Sequence, residues 1–236
     1  MAKGIFITGV DTDVGKTFVT AGINYILRKN NLKVCSYKAI ESGGQLVSDK
    51  LISNDCKFVK EINNLDEEYE HMNVYCLKNP VSPHLASEIE NIKINKDLII
   101  NKYQNLKKKY DYIVCEGSGG IIVPIIRNNY YIYDLIKDLD LSVILVSKAN
   151  VGTINHTVLT VEFLKSRNID IKGIIINNYE GHFYEDDNIR VIEEMTDINI
   201  LAVLNKIKAK NDKEFIKLAK EEYEKNIDKS IYKYFS

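Results

Sequence analysis

Ile5-Phe6-Ile7-Thr8-Gly9-Val10-Asp11-Thr12-Asp13-Val14-Gly15-Lys16-Thr17 decides the fold. An apolar run reads as a short buried strand. A glycine-bounded loop follows, and Gly15-Lys16-Thr17 opens a helix expected over Phe18 to Arg28. Strand, loop and Gly-Lys-Thr helix start form the phosphate-binding loop arrangement. Successive backbone N–H groups curl around phosphate oxygens, and the helix N-terminus adds partial positive charge. Lys16 is placed to reach β- and γ-phosphates, and the Thr17 hydroxyl to ligate Mg²⁺. The loop is a variant, because five residues separate Gly9 from Gly15 and Val10 stands where the strict pattern has glycine. A chance βα turn containing Gly-Lys-Thr is the competing reading, and both flanking elements argue against it.

Beyond this stretch, apolar runs alternate with helical patterns. Strands are expected at Lys33 to Lys38, Val74 to Leu77, Tyr112 to Glu116, Ser142 to Ser147, Ile171 to Asn177 and Ile198 to Leu204. Helices are expected at Ser48 to Ile62, from Leu85, and at Lys96 to Lys109, Gly152 to Arg167, Asp187 to Met195 and Asp212 to Asn226. Such alternation predicts an α/β fold of the P-loop NTPase-like kind, a doubly wound, mostly parallel sheet flanked by helices. The 236 residues suit one α/β domain or two small ones. With no long linker or repeat, a single domain over 1–236 is the expectation.

Composition narrows the partners. A net charge of −1 gives no electrostatic basis for a nucleic-acid or anionic-membrane partner. No apolar run is long enough for a signal peptide or membrane span. Cys35, Cys56, Cys76 and Cys115 lack metal-ligand spacing and read as free thiols of a cytoplasmic protein. His71, His84, His156 and His182 are scattered, which speaks against a zinc or iron site.

A phosphate loop needs a metal shell of a few hard oxygens. Glu116 ends a hydrophobic strand and is the second candidate ligand after Thr17; Asp55 is the third, although an Asp on a helix is commonly just solvated. Lys38 sits at a strand end, at the start of the loop Lys38 to Gly44, facing the edge where open α/β sheets bind ligands. It suits a developing phosphoryl or carboxylate charge. Ser42 is a candidate substrate contact or a plain turn residue. Gly117 to Gly120 reads as a glycine-rich turn. The helix start Gly152-Thr153-Ile154-Asn155 offers free N–H groups to a carboxylate, or is an ordinary cap.

These pieces together resemble the dethiobiotin synthetase family. The matching segments are Thr8 to Thr17, Tyr37-Lys38 with Ser42-Gly43, Asn54-Asp55, Ser82-Pro83-His84, Glu116 to Gly120, Gly152 to His156 and Gly173 to Asn177, in the family's order. The resemblance implies ATP-dependent ring closure of 7,8-diaminononanoate with CO₂. A carbamate forms on one amine, ATP phosphorylates it, and the second amine closes the cyclic urea. It implies Lys16 and Lys38 as catalytic charge stabilisers and Thr17, Asp55 and Glu116 as the Mg²⁺ shell. Nucleotide contacts are expected from Thr12, Asp13, Val14, Gly15, Lys16, Thr17, Asp55, Glu116, Gly117, Ser118, Gly119, Asn177 and Asn178. Substrate contacts are expected from Thr12 and Ser42. The family is homodimeric, and Gly152, Thr153, Ile154 and Asn155 would hold the substrate's carboxylate across the dimer interface.

Departures fall at Ala39, where proline is usual, and at Ala202 and Asn205, where glycine and proline are usual in the second adenine-contacting segment. Two other readings share the loop. A cobyrinic acid diamide synthase type of amidoligase usually carries a glutamine-hydrolysing domain, for which this chain has no room. A partition ATPase places a second lysine where Asp11 stands.

Overall fold

The structure is a computed structural model that describes residues 2–236. Its first half runs β1 (Lys3–Gly9), α1 (Lys16–Lys29), β2 (Val34–Ser42), β3 (Gln45–Val47), β4 (Lys50–Ile52), α2 (Asn54–Asn63), α3 (Tyr69–Met72), β5 (Asn73–Leu77), α4 (Pro83–Ile89) and α5 (Lys96–Lys107). The second half runs β6 (Tyr112–Gly120), β7 (Pro124–Ile126), β8 (Tyr130–Tyr131), α6 (Ile132–Asp138), β9 (Val143–Ser147), α7 (Thr153–Ser166), β10 (Ile171–Tyr179), α8 (Glu185–Thr196), β11 (Ile200–Asn205) and α9 (Asp212–Asn226). A 3₁₀ turn over Lys229–Tyr234 follows.

Seven strands form one sheet in the order β11-β10-β9-β1-β6-β2-β5. Every neighbouring pair in it is parallel. The central strands carry near-continuous apolar runs, with Ile5, Phe6, Ile7, Val114, Cys115 and Val143 to Val146 all buried. Strands covered on both faces need no polar alternation. From β1 the chain crosses to β2, two places to one side, and later returns to β9 on the other side. The crevice at the carboxyl end of β1 is therefore a topological switch point, where ligands of such sheets bind.

Three expectations are corrected. The helix expected from Ser48 begins only at Asn54, and a β-hairpin of β3 and β4 precedes it. Ser48 and Asp49 both have positive φ, at 48° and 64°. A two-residue hairpin loop requires that backbone form. The glycine-rich turn expected at Gly117 to Gly120 is instead the extended end of β6, with Gly120 in register with Gly9 of β1. Likewise β2 runs through Ser42 rather than ending at Lys38, because β5 pairs with it from Lys38 to Ser42. The hairpin β7–β8 and helix α6 were outside the expected elements. All four cysteines are free thiols. No helix among the described residues is long and apolar enough to cross a membrane.

Candidate active site

β1 delivers the loop Val10–Gly15, and α1 begins at Lys16. Gly15 caps that helix in the left-handed region, φ 93°. A Cβ there would stand 1.9 Å from Asn177 Nδ2. That amide donates to the Val14 carbonyl at 2.9 Å, so the end of β10 braces the loop from behind. The N–H groups of Lys16 and Thr17 lie in the first turn, where no earlier helical carbonyl takes them.

Parallel register does the rest. Lys38 of β2 stands opposite Glu116 of β6, and Ile7 of β1 stands opposite Glu116 on the other side. Lys38 Nζ lies 2.8 Å from Glu116 Oε1 and 2.5 Å from Asp55 Oδ2. It also donates to the Gly117 carbonyl at 3.0 Å. The Thr17 hydroxyl is 2.8 Å from Asp55 Oδ1 and 2.8 Å from Glu116 Oε1. Residues from β2, α1, α2 and β6 thus meet at one point. They open into a cleft of about 700 Å³ whose wall includes Thr12, Asp13, Gly15, Lys16, Thr17, Lys38, Ser42, Asp55, Glu116, Ser118 and Gly119.

Charge in the cleft is arranged by burial. Lys38 is 3% exposed; burial opposes its charge, but Asp55, Glu116 and Glu41 outweigh that and hold the ammonium well above its ordinary value. Lys16 is lowered to about 8, by burial first and by Lys38 second, against Glu116, Asp55 and Asp13. Its Nζ rests on the Asp11 carbonyl at 3.0 Å, turned back on the loop. Burial pushes the Glu116 carboxyl up, with Lys38 opposing and Asp55 adding. Burial also acts to raise Asp55, but the Lys38 charge and the bonds from Lys38 and Thr17 hold it below its ordinary value.

The donor set fits a hard divalent cation. Two carboxylates and a hydroxyl converge, and the two buried carboxylates share the one Lys38 ammonium. Among the described residues no three His, Cys, Asp or Glu side chains gather as a metal cage. A small ligand count suits Mg²⁺, which keeps water and phosphate oxygens in its shell.

Other expected residues lie elsewhere. Ser42 is in the cleft, and its buried hydroxyl has no hydrogen-bond partner. The Ser118 hydroxyl donates to the Ile40 carbonyl, tying β6 to β2. Gly117 is buried and contributes its carbonyl to Lys38. Gly152, Thr153, Ile154 and Asn155 start α7 outside the cleft. Thr153 lines a separate hollow of about 140 Å³ with Asp11, Thr12, Lys148 and His156. Its hydroxyl is engaged with Ser147 Oγ at 2.8 Å and with the Lys148 carbonyl. Asn177 and Asn178 lie near the end of β10, where Asn177 braces the phosphate loop from behind. The sequence reading assigned no role to Glu41, Asn54, Pro80, Ser82 or Val123, which also line the cleft. Glu41 carries a usable signal, an acid three residues after Lys38, but it falls beyond a strand expected to end at Lys38.

Known proteins align with this arrangement along nearly the whole chain. The profile of a family described as an AAA domain matches residues 3–213. The ATP-dependent dethiobiotin synthetase BioD of Clostridium novyi is 48% identical over 221 residues, covering 92% of this chain and 93% of that one. The protein of that name from Fusobacterium nucleatum is 44% identical over 216 residues, covering 91% and 97%. Among solved structures, a ParA family ATPase from Chlorobium tepidum superposes with a TM-score of 0.58 at 14% identity, covering 98% of this chain and 91% of that one. The MinD cell division protein of Aquifex aeolicus gives 0.53 at 16% identity, covering 93% and 86%. These two likenesses establish the shared P-loop NTPase fold alone.

Proposed function

The chain belongs to the ATP-dependent dethiobiotin synthetase family, and from that premise we propose how its cleft performs the family's reaction. The enzyme is an ATP-dependent cyclo-ligase of biotin biosynthesis. One amine of 7,8-diaminononanoate takes up CO₂ as a carbamate. A carbamate oxygen attacks the γ-phosphorus of ATP, and ADP leaves. The second amine then attacks the carbonyl carbon of the carbamic-phosphoric anhydride, phosphate leaves, and the cyclic urea closes. The amidoligase and partition-ATPase readings are not favoured.

The observation that carries the site assignment is the meeting of Lys16, Thr17, Lys38, Asp55 and Glu116 in one cleft, with the unpartnered Ser42 hydroxyl on its wall. Carbamate and triphosphate repel, so fixed positive charge must draw them together. Lys16 and Lys38 supply it. Lys38 spends its donors on Asp55, Glu116 and the Gly117 carbonyl. Contact with the carbamate therefore requires it to exchange at least one of these partners. Lys16 lies turned onto Asp11 and swings to the γ-phosphate when nucleotide enters. Gly15, Lys16 and Thr17 present backbone N–H groups to the phosphates, with Thr12, Asp13 and Val14 shaping the loop.

Thr17, Asp55 and Glu116 would hold Mg²⁺. Bound there, it would neutralise charge on the β- and γ-phosphate oxygens. Ser42 and Thr12 bind the carbamate end of the substrate, while Ser118 and Gly119 line the cleft and Gly117 supports it through its carbonyl bond to Lys38. Asn177 keeps its carboxamide oxygen for the base, beside Asn178. The working unit is a homodimer in the cytoplasm. Val151, Gly152 and Asn155 are exposed at the start of α7, which leaves that helix end for a second copy's substrate carboxylate. Mixing the protein with 7,8-diaminononanoate, bicarbonate, ATP and Mg²⁺ tests the reaction. ADP and the cyclic urea should appear in equal amounts, and ADP without the urea would reject the synthetase reading.

A further inference from the structure

Glu41 has no place in the reaction above, yet it is a buried acid, 6% exposed, on the wall of the reacting cleft. Its carboxylate is saturated by one element. The Asn54 N–H donates to Oε1 at 2.8 Å, and the Asp55 N–H donates to Oε2 at 3.3 Å. The Ser53 hydroxyl also donates to Oε2. Ser53 Oγ in turn accepts from the Cys56 N–H at 3.0 Å. Each of the first three N–H groups of α2 thus has an acceptor, and two of the three acceptors belong to a strand residue. A negative charge at a helix N-terminus is favourable in itself. Here it also clamps the first turn of α2 to β2, and Asp55 is the second residue of that turn.

Asp55 must meet two groups at once, Lys38 on β2 and Thr17 on α1. Lys38 and Glu41 are three residues apart on one strand. The clamp therefore refers the Asp55 carboxylate to the strand that carries its partner. We infer that Glu41 is the positioning residue for Asp55, setting that carboxylate where it can share a divalent cation with Thr17 and Glu116. The inference rests on Asp55 being part of the Mg²⁺ shell. A glutamine at this position has the same shape but only one acceptor oxygen, and its NH₂ would face backbone donors.

The test is nucleotide binding rather than turnover. Binding of a non-hydrolysable ATP analogue is followed by calorimetry while Mg²⁺ is varied. Glu41→Gln should raise the half-saturating Mg²⁺ concentration about tenfold, the scale of losing an outer partner of a metal ligand. Glu41→Asp keeps the charge but draws it back by one methylene; it should raise that concentration at least about threefold, and it reports on position even if the glutamine variant folds poorly. Ser53→Ala removes the cap on Cys56 and the hydroxyl bond to Glu41, but keeps both backbone bonds that tie α2 to Glu41. It should lower the melting temperature and leave the Mg²⁺ requirement within about twofold.

Asp55→Asn is the control for the reading beneath. If it shifts the Mg²⁺ requirement and both Glu41 variants do not, the positioning role is wrong and the metal shell stands. Equal shifts in Glu41→Gln and Ser53→Ala would also overturn the inference, since any loosening of α2 would then suffice. An Asp55→Asn protein with an unchanged requirement would remove Asp55 from the shell and the inference with it.

Discussion

At the scale of single residues, two side chains carry most of the consequence. Lys38 is nearly inaccessible and is held between two acids, so its charge is permanent in the folded protein. Lys38→Ala should lower turnover by at least about a hundredfold, the usual loss for one electrostatic stabiliser. Nucleotide binding should stay within about threefold, since Lys16 and the loop amides are untouched. Product formation and calorimetry on one preparation separate the two effects, and near-normal turnover would remove Lys38 from the mechanism. The variant also strands Asp55 and Glu116 without a cation, so its thermal stability should depend on Mg²⁺ more steeply than that of the parent. Gly15 is the second case. An alanine there meets both a left-handed backbone and the Asn177 amide 1.9 Å away. Gly15→Ala should cost at least about 2 kcal/mol in chemical unfolding and weaken nucleotide binding.

At the scale of elements, α1 is the pivot, because the same first turns that open at the phosphate loop also support α9. Tyr223 of α9 donates its hydroxyl to the Phe18 carbonyl at 2.9 Å, and their rings lie 4.7 Å apart. Gly22 of α1 makes room for that ring; a Cβ there would stand 2.6 Å from Tyr223 Cδ1. Helix propensity favours Gly22→Ala by about 1 kcal/mol. Overpacking against a fully buried aromatic costs about 1–3 kcal/mol. The variant should therefore be net destabilised, by about 1 kcal/mol. A rise in melting temperature would mean that the ring yields. The extents of α7, α9 and the central strands were legible to within a few residues, because their apolar periodicity is what buries them. The β3–β4 hairpin was not. Leu51, Ile52, Phe58 and Val59 fit a helical face as well as a strand, and only pairing of Gln45 with Ile52 distinguishes them.

At the scale of the whole molecule, a few polar ties join distant parts of the chain. Glu67, whose side chain is 8% exposed, bonds His71 at 2.5 Å, Tyr110 at 2.9 Å and Lys109 at 3.4 Å. Burial opposes its charge, but His71, Tyr110 and Lys109 outweigh that and hold the carboxyl near 2, from an ordinary 4.5. A carboxyl depressed by folding stabilises fully above its unfolded pKa and loses that contribution as pH falls through its folded value. Between about pH 4.5 and 2, Glu67→Gln should thus show a flatter loss of stability than the parent, with a lower plateau near neutrality. Denaturant unfolding across that range measures it, and parallel curves would dismiss the tie.

The amino-acid order alone determined the phosphate loop, the parallel α/β class and the identity of the cleft's lysines and of its acids other than Glu41. Those features are local; a loop chemistry or an apolar run is written within a dozen neighbouring residues. Tertiary structure decided which of those groups touch. Lys38 meets Glu116 only because β2 and β6 pair in that register, and Asp55 joins them only because α2 is fastened to β2 through Glu41. It also set Gly152 to Asn155 apart from the cleft, since β9 lies on the far side of β1 from β6 and β2. Contacts between strands distant in sequence depend on register and crossing order, which no short stretch of chain encodes.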